Sequence, residues 1–332
     1  MKTDFVPVSR AEVEELWASV RERTSNPHAG IFGPDSISWK VNRESALFLG
    51  AGRAALLQLA HPWVANALDQ HSNLINDPLA RFHNTFRVVF TMIFGTLDQA
   101  LAASKYLFQL HTRIQGNIPQ KVAAYAQGSH YEANEVGALL WVYATLVESA
   151  LIAYECVLPP LSAAEREGYY SESKIMAALF GIPGRALPLD WAGFEDYCQG
   201  MANSNALGVN EMSKEMAWRI LHGKGSWVPI PEWYRSLTAA WLPERLRQEF
   251  GFKYETDQKE NAARAQVWLT RVYRRLFVDL RFVGPYQQAV CRLERKPVTA
   301  LTRAVNRFWM GQPLMMFAEL DRPRLLVTGR DR

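Results

Sequence analysis

The seven histidines are the residues best suited to hold a metal ion, because the three cysteines lie far apart and form no C-x-x-C pair. Leu97, Ala100, Ser104, Leu107 and His111 recur at steps of three and four residues. This spacing predicts an amphipathic helix with His111 on its inward face. A neutral imidazole facing an apolar interior suits an axial haem ligand. It equally suits a core histidine that hydrogen-bonds to a backbone carbonyl.

The sequence Arg81-Phe82-His83-Asn84-Thr85 holds a second candidate group. On a helix, Arg81 and Thr85 share one face because they are four residues apart. Such a pair could bind a carboxylate, for example a haem propionate, or polarise bound oxygen. The alternative is a surface arginine beside a threonine whose hydroxyl bonds to the carbonyl four residues earlier.

The longest helical pattern covers residues 134–158 and has two apolar-leaning stripes, which predicts a central helix. Trp141, Thr145 and Glu148 lie on one of these stripes at steps of four and three. A partly buried Glu148 needs a partner, either an arginine or a polar group beside a cofactor.

Helical periodicity continues along the rest of the chain. Capping boxes begin at Ser9, Thr96 and Ser162, and the only β-like stretch is at residues 325–328. No repeat or long linker divides the chain. We therefore predict an all-α fold: a single helical-bundle domain over residues 1–332, with ten or more helices. Its parts are an N-terminal helix and loop (9–36), a core (45–201) and basic C-terminal helices (202–332).

Several enzyme classes are excluded by their missing motifs. The sequence has no E-x-x-H, H-E-x-x-H, G-x-x-x-x-G-K-[ST] or G-x-S-x-G. Gly50 and Gly52 follow no strand and form no dinucleotide fingerprint; they indicate a close helix–helix approach or backbone beside a ligand. A non-haem metal site built from His61, His71 and His83 remains an alternative, although its ligand spacing is poor.

Charge is unevenly distributed in a chain that is 48% apolar and 21% charged. Residues 264–332 hold 14 basic and 5 acidic side chains, whereas the net charge of the whole chain is only +4. This basic region suggests a peripheral membrane contact, or merely solvated helix faces. No nucleic-acid-binding motif accompanies it. The first residues lack an apolar signal segment, and the most apolar helix carries Glu148 and Glu155, so we expect a cytoplasmic protein.

Several motifs in one order give the sequence a family resemblance. It resembles the oxygenase MpaB family, also called the rubber oxygenase or latex-clearing protein catalytic domain. The motifs are G-R-A-A-L-L-Q-L-A-H-P-W-V-A at residues 52–65, His71-Ser72, D-P-L-A-R at 77–81 with Thr85, F-G-T at 94–96, H-T-R-I-Q-G at 111–116, W-V-Y-A-T-L at 141–146, and G-I-P at 181–183 with Leu187-Pro188.

The resemblance implies an all-α, globin-reminiscent fold that binds haem b and uses dioxygen to cleave carbon–carbon double bonds in polyisoprene. It implies that His111 is the proximal iron ligand and that Arg81 and Thr85 lie on the distal side. The sequence departs from the family at Asn84, where rubber oxygenases carry a lysine, and at Tyr143, where many members carry a histidine. The active-site glutamate of rubber oxygenases has no match here, and His61 is a candidate polar substitute.

The expected function is thus a haem b-dependent oxygenase acting with dioxygen on a small hydrophobic substrate, unsaturated or terpenoid. His111 Nε2 would bind iron while Nδ1 is hydrogen-bonded, and Arg81, Asn84 and Thr85 would donate to bound oxygen. We expect Trp141 and Thr145 to contact the cofactor. The expected pocket wall is aromatic, from Trp63, Phe82, Phe86, Phe90 and Trp141. The alternatives are a non-catalytic helical protein that binds an apolar ligand or a membrane surface, and a non-haem metal protein.

Overall fold

Helices account for nearly all regular structure in the computed structural model, which describes residues 6–72, 78–223 and 229–315. The helices are α1 (Arg10–Arg23), α2 (Ile37–Asn42), α3 (Ala51–Leu59), α4 (Pro62–His71), α5 (Pro78–Phe94), α6 (Leu97–His111), α7 (Val136–Val157), α8 (Ala163–Leu179), α9 (Trp191–Asn203), α10 (Glu211–Leu221), α11 (Glu232–Trp241), α12 (Glu244–Glu249), α13 (Thr256–Tyr273), α14 (Val278–Arg281), α15 (Gly284–Leu293) and α16 (Ala300–Met310). Two 3-10 segments lie at Ser45–Gly50 and Gly184–Ala186. The all-α prediction is confirmed.

Capping boxes begin three of these helices, as the sequence predicts. The side chains of Ser9, Thr96 and Ser162 each accept a hydrogen bond from the backbone three residues later, and the Glu or Gln at that position bonds back. These reciprocal bonds satisfy amide groups that a helix start leaves unpaired.

Helix α7 is the central helix of the fold. It packs against the first 3-10 segment and against α3, α8, α9 and α13, and most of its residues are buried. Within the described residues it is the one helix long and apolar enough to cross a membrane, and 67% of its most apolar window is buried inside the protein. Such burial is typical of a core helix.

An ion pair accommodates the acidic group predicted on this helix. Arg53 donates to Glu148 at 2.7 Å, to the Ser149 hydroxyl at 2.8 Å and to the Trp241 carbonyl at 2.9 Å. The partner of Glu148 is therefore an arginine of α3.

Close backbone approach explains the paired glycines. A Cβ on Gly50 would lie 2.4 Å from the carbonyl oxygen of Ser149 on α7. A Cβ on Gly52 would lie 2.9 Å from the Thr238 hydroxyl. Only glycine allows α3 and its preceding turn to pack this closely, as the sequence indicates.

The structure settles element boundaries that helical periodicity alone leaves open. Residues 257–281 show one helical pattern but divide into α13 and α14. Pro62, which could kink a helix or start one, begins a new helix after a break at His61. The structure also contains a short antiparallel hairpin of β1 (Gln115–Asn117) and β2 (His130–Glu132). It was not predicted from the sequence because three-residue strands show no periodicity. The Asp77-Pro78 pair favours a helix N-cap at Asp77, but Asp77 and the β-like residues 325–328 lie outside the described residues.

Helices α15 and α16 pack across the outer side of α5. Trp309 stacks on Phe48 with ring centroids 3.5 Å apart, and His83 Nε2 lies 2.9 Å from the Phe308 carbonyl oxygen. Helices α15 and α16 therefore cover the outer face of α5, and the inner face of α5 lines part of a cavity.

Candidate functional site

A cavity lies between α4, α5, α6, α7 and the hairpin. The free space between its walls, including the part open to solvent, is about 1330 Å³. Half of the wall residues are aliphatic. The polar or aromatic residues of the wall are Gln58, Trp63, His71, Ser72, Arg81, Asn84, Thr85, Arg87, Tyr106, His111, Tyr131, Glu132 and Phe180. His111, Arg81, Asn84 and Thr85, which the sequence selects, thus meet at one cavity.

His111 reaches the cavity from the last turn of α6, one turn after Leu107, which also lines it. Burial lowers the pKa of His111 to about 4, the Arg81 charge lowers it further, and Asn134 opposes the shift. The imidazole is therefore neutral at pH 7. The buried Nδ1 has no hydrogen-bond partner within the described residues, so the bond expected there is not found.

Arg81 and Thr85 lie on the inner face of α5, as their spacing predicts. The Thr85 hydroxyl donates to the Arg81 carbonyl at 3.0 Å. A hydroxyl has one hydrogen, so in this arrangement Thr85 offers the cavity only acceptor lone pairs. The expectation that Thr85 donates to bound oxygen stays a prediction, and it requires this hydroxyl to leave the Arg81 carbonyl. Burial lowers the pKa of Arg81, and the phenol of Tyr106 opposes the shift.

The orientation of the Asn84 amide is fixed by Arg87, one turn further along α5. Arg87 Nη2 donates to Asn84 Oδ1, and Nη1 donates to Gln312 Oε1 at 3.1 Å. A guanidinium has no acceptor, so the atom that faces it must be the amide oxygen. The Asn84 NH₂ group then remains available as a donor to the cavity.

Trp141 and Thr145 lie behind the wall rather than in it. The Trp141 indole donates to the Leu57 carbonyl at 2.9 Å. The Thr145 hydroxyl accepts from Gln58, a wall residue, at 3.0 Å and donates to the Val142 carbonyl. Both side chains are almost fully buried, and their contact with a cofactor stays a prediction.

His61 lies in a separate aromatic cluster. Its Nε2 is 3.4 Å from the Tyr125 hydroxyl, and Tyr125 also packs against Trp63, which lines the cavity. Burial alone lowers the pKa of His61 to about 4, so it is neutral at pH 7. The buried Nδ1 has no partner within the described residues. His61 thus adjoins the cavity through Trp63 without lining it.

The three histidines of the alternative metal site have unrelated surroundings. His71 Nε2 lies 3.0 Å from the Gln115 carbonyl oxygen, whereas His83 faces α16 on the opposite side of α5. Across residues 6–72, 78–223 and 229–315, no group of three His, Cys, Asp or Glu side chains could hold a metal ion. The geometry does not support a multi-histidine site.

The predicted aromatic wall is wrong except at Trp63. Phe82, Phe86 and Phe90 form a stripe that packs on Phe48, on the side of α5 covered by α16. Successive helical residues are about 100° apart, so this i, i+4 stripe is turned away from the face of Arg81. The aromatic run of α5 therefore builds the core, and the aromatic residues that line the cavity, Trp63, Tyr106, Tyr131 and Phe180, come from other elements.

Four wall residues with polar groups lie in no motif or candidate group selected from the sequence. They are Arg87, Tyr106, Tyr131 and Glu132. Arg87 could have been found, because it lies three residues after Asn84. Glu132 is on the unpredicted hairpin, and the position of Tyr106 depends on how α6 packs against α5.

Comparison with known proteins agrees with this geometry. A family described as "ER-bound oxygenase mpaB/B'/Rubber oxygenase, catalytic domain" matches residues 39–275, which is most of the chain. No curated protein and no solved structure matches the chain significantly. The matched range contains α5, α6 and α7, which supply most of the cavity wall. The chain belongs to the MpaB and rubber oxygenase family, whose matched region is an oxygenase catalytic domain.

Proposed function

We propose that the protein is a haem b-dependent oxygenase that uses dioxygen on a small hydrophobic substrate, an unsaturated or terpenoid molecule. One observation carries the proposal. A neutral histidine, an arginine and an oriented asparagine amide line the same cavity in a chain that belongs to an oxygenase family.

The donor set of the cavity fits a haem. Trp63 Nε1 and Arg87 Nε are buried donors without a partner in the described residues, although native proteins pair almost all such atoms, and both suit the carboxylates of a haem. A neutral imidazole is the protonation state that binds iron, and His111 would hold it. When bound, haem b supplies the centre at which dioxygen is activated for attack on a carbon–carbon double bond.

The chain's own residues give this site its polarity. The Asn84 NH₂ group and the Arg81 guanidinium can donate to an oxygen atom that gains negative charge, and such donors act strongly where water is excluded. The aliphatic wall, which includes Val88, Leu107 and Leu139, excludes water and packs against an apolar substrate.

Haem titration tests the proposal and does not require the substrate. Protein prepared without haem is titrated with haem b, and we expect a Soret band that saturates at one equivalent. His111→Ala should lose the band, whereas His28→Ala, at an exposed position away from the cavity, should keep it. A wild-type protein without a Soret band would favour the non-catalytic apolar-ligand alternative.

A further inference from the structure

Arg87 brings a positive charge into the cavity wall without a carboxylate beside it. Its two bonded nitrogens donate to the neutral amide oxygens of Asn84 and Gln312, and its buried Nε has no partner. Among the residues that the structure describes, no Asp or Glu pairs with it. Burial lowers its pKa, which reflects the cost of holding this cation away from water.

The cavity as a whole is cationic. Arg81 is a second guanidinium in the same wall, and Glu132 is the one carboxylate among the described wall residues. Glu132 pairs at 3.6 Å with His130 on the same strand. An uncompensated guanidinium in apolar surroundings is stabilised by an anion, and its planar fork matches a carboxylate.

We propose that the cavity binds an apolar molecule that carries a carboxylate, with Arg87 as the ligand of that carboxylate. Asn84 and Gln312 hold the guanidinium in place, and the aliphatic wall packs against the hydrocarbon part. The inference deepens the proposed function and rests on it. It narrows the substrate from any small hydrophobic molecule to an apolar acid.

Binding to the haem-free protein tests this inference separately from haem chemistry. Isothermal titration compares decanoate with decan-1-ol, which share a chain length but differ in charge. A charged hydrogen-bonded pair predicts that decanoate binds roughly 10- to 100-fold more tightly. Arg87→Gln should abolish this preference and leave decan-1-ol binding unchanged. Arg303→Gln, an exposed substitution on α16, should leave both affinities at the wild-type value.

Two further measurements keep the test decisive. Arg87→Lys keeps the charge, so it should retain part of the preference even if Arg87→Gln unfolds. A folded Arg87→Gln or Arg87→Lys protein that prefers decanoate as strongly as wild type, or a wild type that does not prefer it, overturns the inference. A haem propionate is the competing carboxylate. If Arg87→Gln removes a preference for haem b over its dimethyl ester, the substrate assignment is wrong.

A second, independent observation concerns the outer face of α13 and α14. Phe277, Val278 and Leu280 are 80%, 61% and 55% exposed, which is unusual for large apolar side chains that are neighbours. Val267 and Val272 extend this apolar surface along α13. We call residues 264–281 the α13–α14 face.

Cations accompany the apolar side chains. Arg264, Arg271, Arg274 and Arg275 are exposed on this face, and Asp279 is the one exposed carboxylate between residues 264 and 281. Apolar side chains flanked by arginines are the pattern of a surface that enters a lipid interface. We infer that the α13–α14 face docks on an anionic membrane surface.

Vesicle flotation tests this docking with the full chain. We expect binding to phosphatidylcholine vesicles that contain phosphatidylserine, weakened by salt, and weak binding to phosphatidylcholine alone. Phe277→Ser should reduce binding roughly tenfold, because the ring no longer leaves water. Leu189→Ser, which changes an equally exposed apolar residue elsewhere, should have no effect. Unchanged binding by Phe277→Ser, or a wild-type dimer that Phe277→Ser dissociates, would overturn the inference.

Discussion

Acid should lower the free energy of unfolding partly through the buried His61, and substituting this histidine should remove that part. Its side chain is 4% exposed, and burial lowers its pKa from 6.5 to about 4. In the unfolded chain the same imidazole takes up a proton near pH 6.5. Between these two values the unfolded state binds more protons than the folded state. The stability contributed by the neutral His61 is therefore present above pH 6.5 and lost as the pH falls towards 4.

The size of the effect follows from these pKa values. Each pKa unit corresponds to about 1.4 kcal/mol, so at pH 5 the protonation of the unfolded chain costs about 2 kcal/mol relative to pH 7.5. Small domains have a total free energy of unfolding of roughly 5–15 kcal/mol, so this loss is measurable. His61→Gln cannot be protonated and lacks this contribution, whereas His111, whose pKa is also about 4, contributes equally to the loss in wild type and variant.

Urea unfolding of the haem-free protein at pH 7.5 and pH 5 measures the difference. We expect wild type to lose about 2 kcal/mol more than His61→Gln over this interval. His28→Gln, which changes an exposed histidine, should follow wild type. If wild type and His61→Gln lose the same stability between pH 7.5 and pH 5, His61 is not a buried, neutral imidazole in the folded protein.

Three other substitutions or conditions test the packing and the site. Gly50→Ala places a Cβ 2.4 Å from a carbonyl oxygen of α7, so it should lower the free energy of unfolding, measured in urea, by roughly 1–3 kcal/mol. A Cβ at Gly200 meets no atom within 4 Å, so Gly200→Ala should leave this free energy unchanged or raise it. Arg53→Met leaves the Glu148 carboxylate unpaired and should lower the free energy of unfolding by about 3 kcal/mol. Arg10→Met, which removes an ion pair on the surface, should lower it by less than about 0.5 kcal/mol. Because the pKa of His111 is about 4 in the haem-free protein, its imidazole stays neutral and the affinity of this protein for haem b should be unchanged from pH 7 down to about pH 5. A loss of affinity centred near pH 6.5 would contradict the burial of His111.

The sequence predicts well what depends on one helix. The stripe that ends at His111 needs only α6, and the shared face of Arg81 and Thr85 needs only α5. The close approach of Gly50 was one of the two interpretations that the glycine pair allowed, the other being backbone beside a ligand. These features follow from helical periodicity, which the local sequence determines.

What depends on packing between helices could not be predicted. The phenylalanines of α5 are apolar enough to line a cavity, but in the structure α16 covers them. The local sequence does not indicate which face of α5 the helix α16 packs against. The same limit applies to Tyr106 and to the hairpin that carries Glu132. The hydroxyl of Thr85 bonds within its own helix, which was the alternative interpretation of the motif.

Imidazole rescue of a His111→Gly protein tests whether His111 binds the iron. The protein carrying His111→Gly is mixed with haem b, and its absorption spectrum is recorded without and with added imidazole. We predict that the spectrum of a histidine-ligated haem is absent without imidazole and returns when imidazole occupies the place of the lost side chain. If the His111→Gly protein already shows the wild-type spectrum without imidazole, His111 is not the iron ligand.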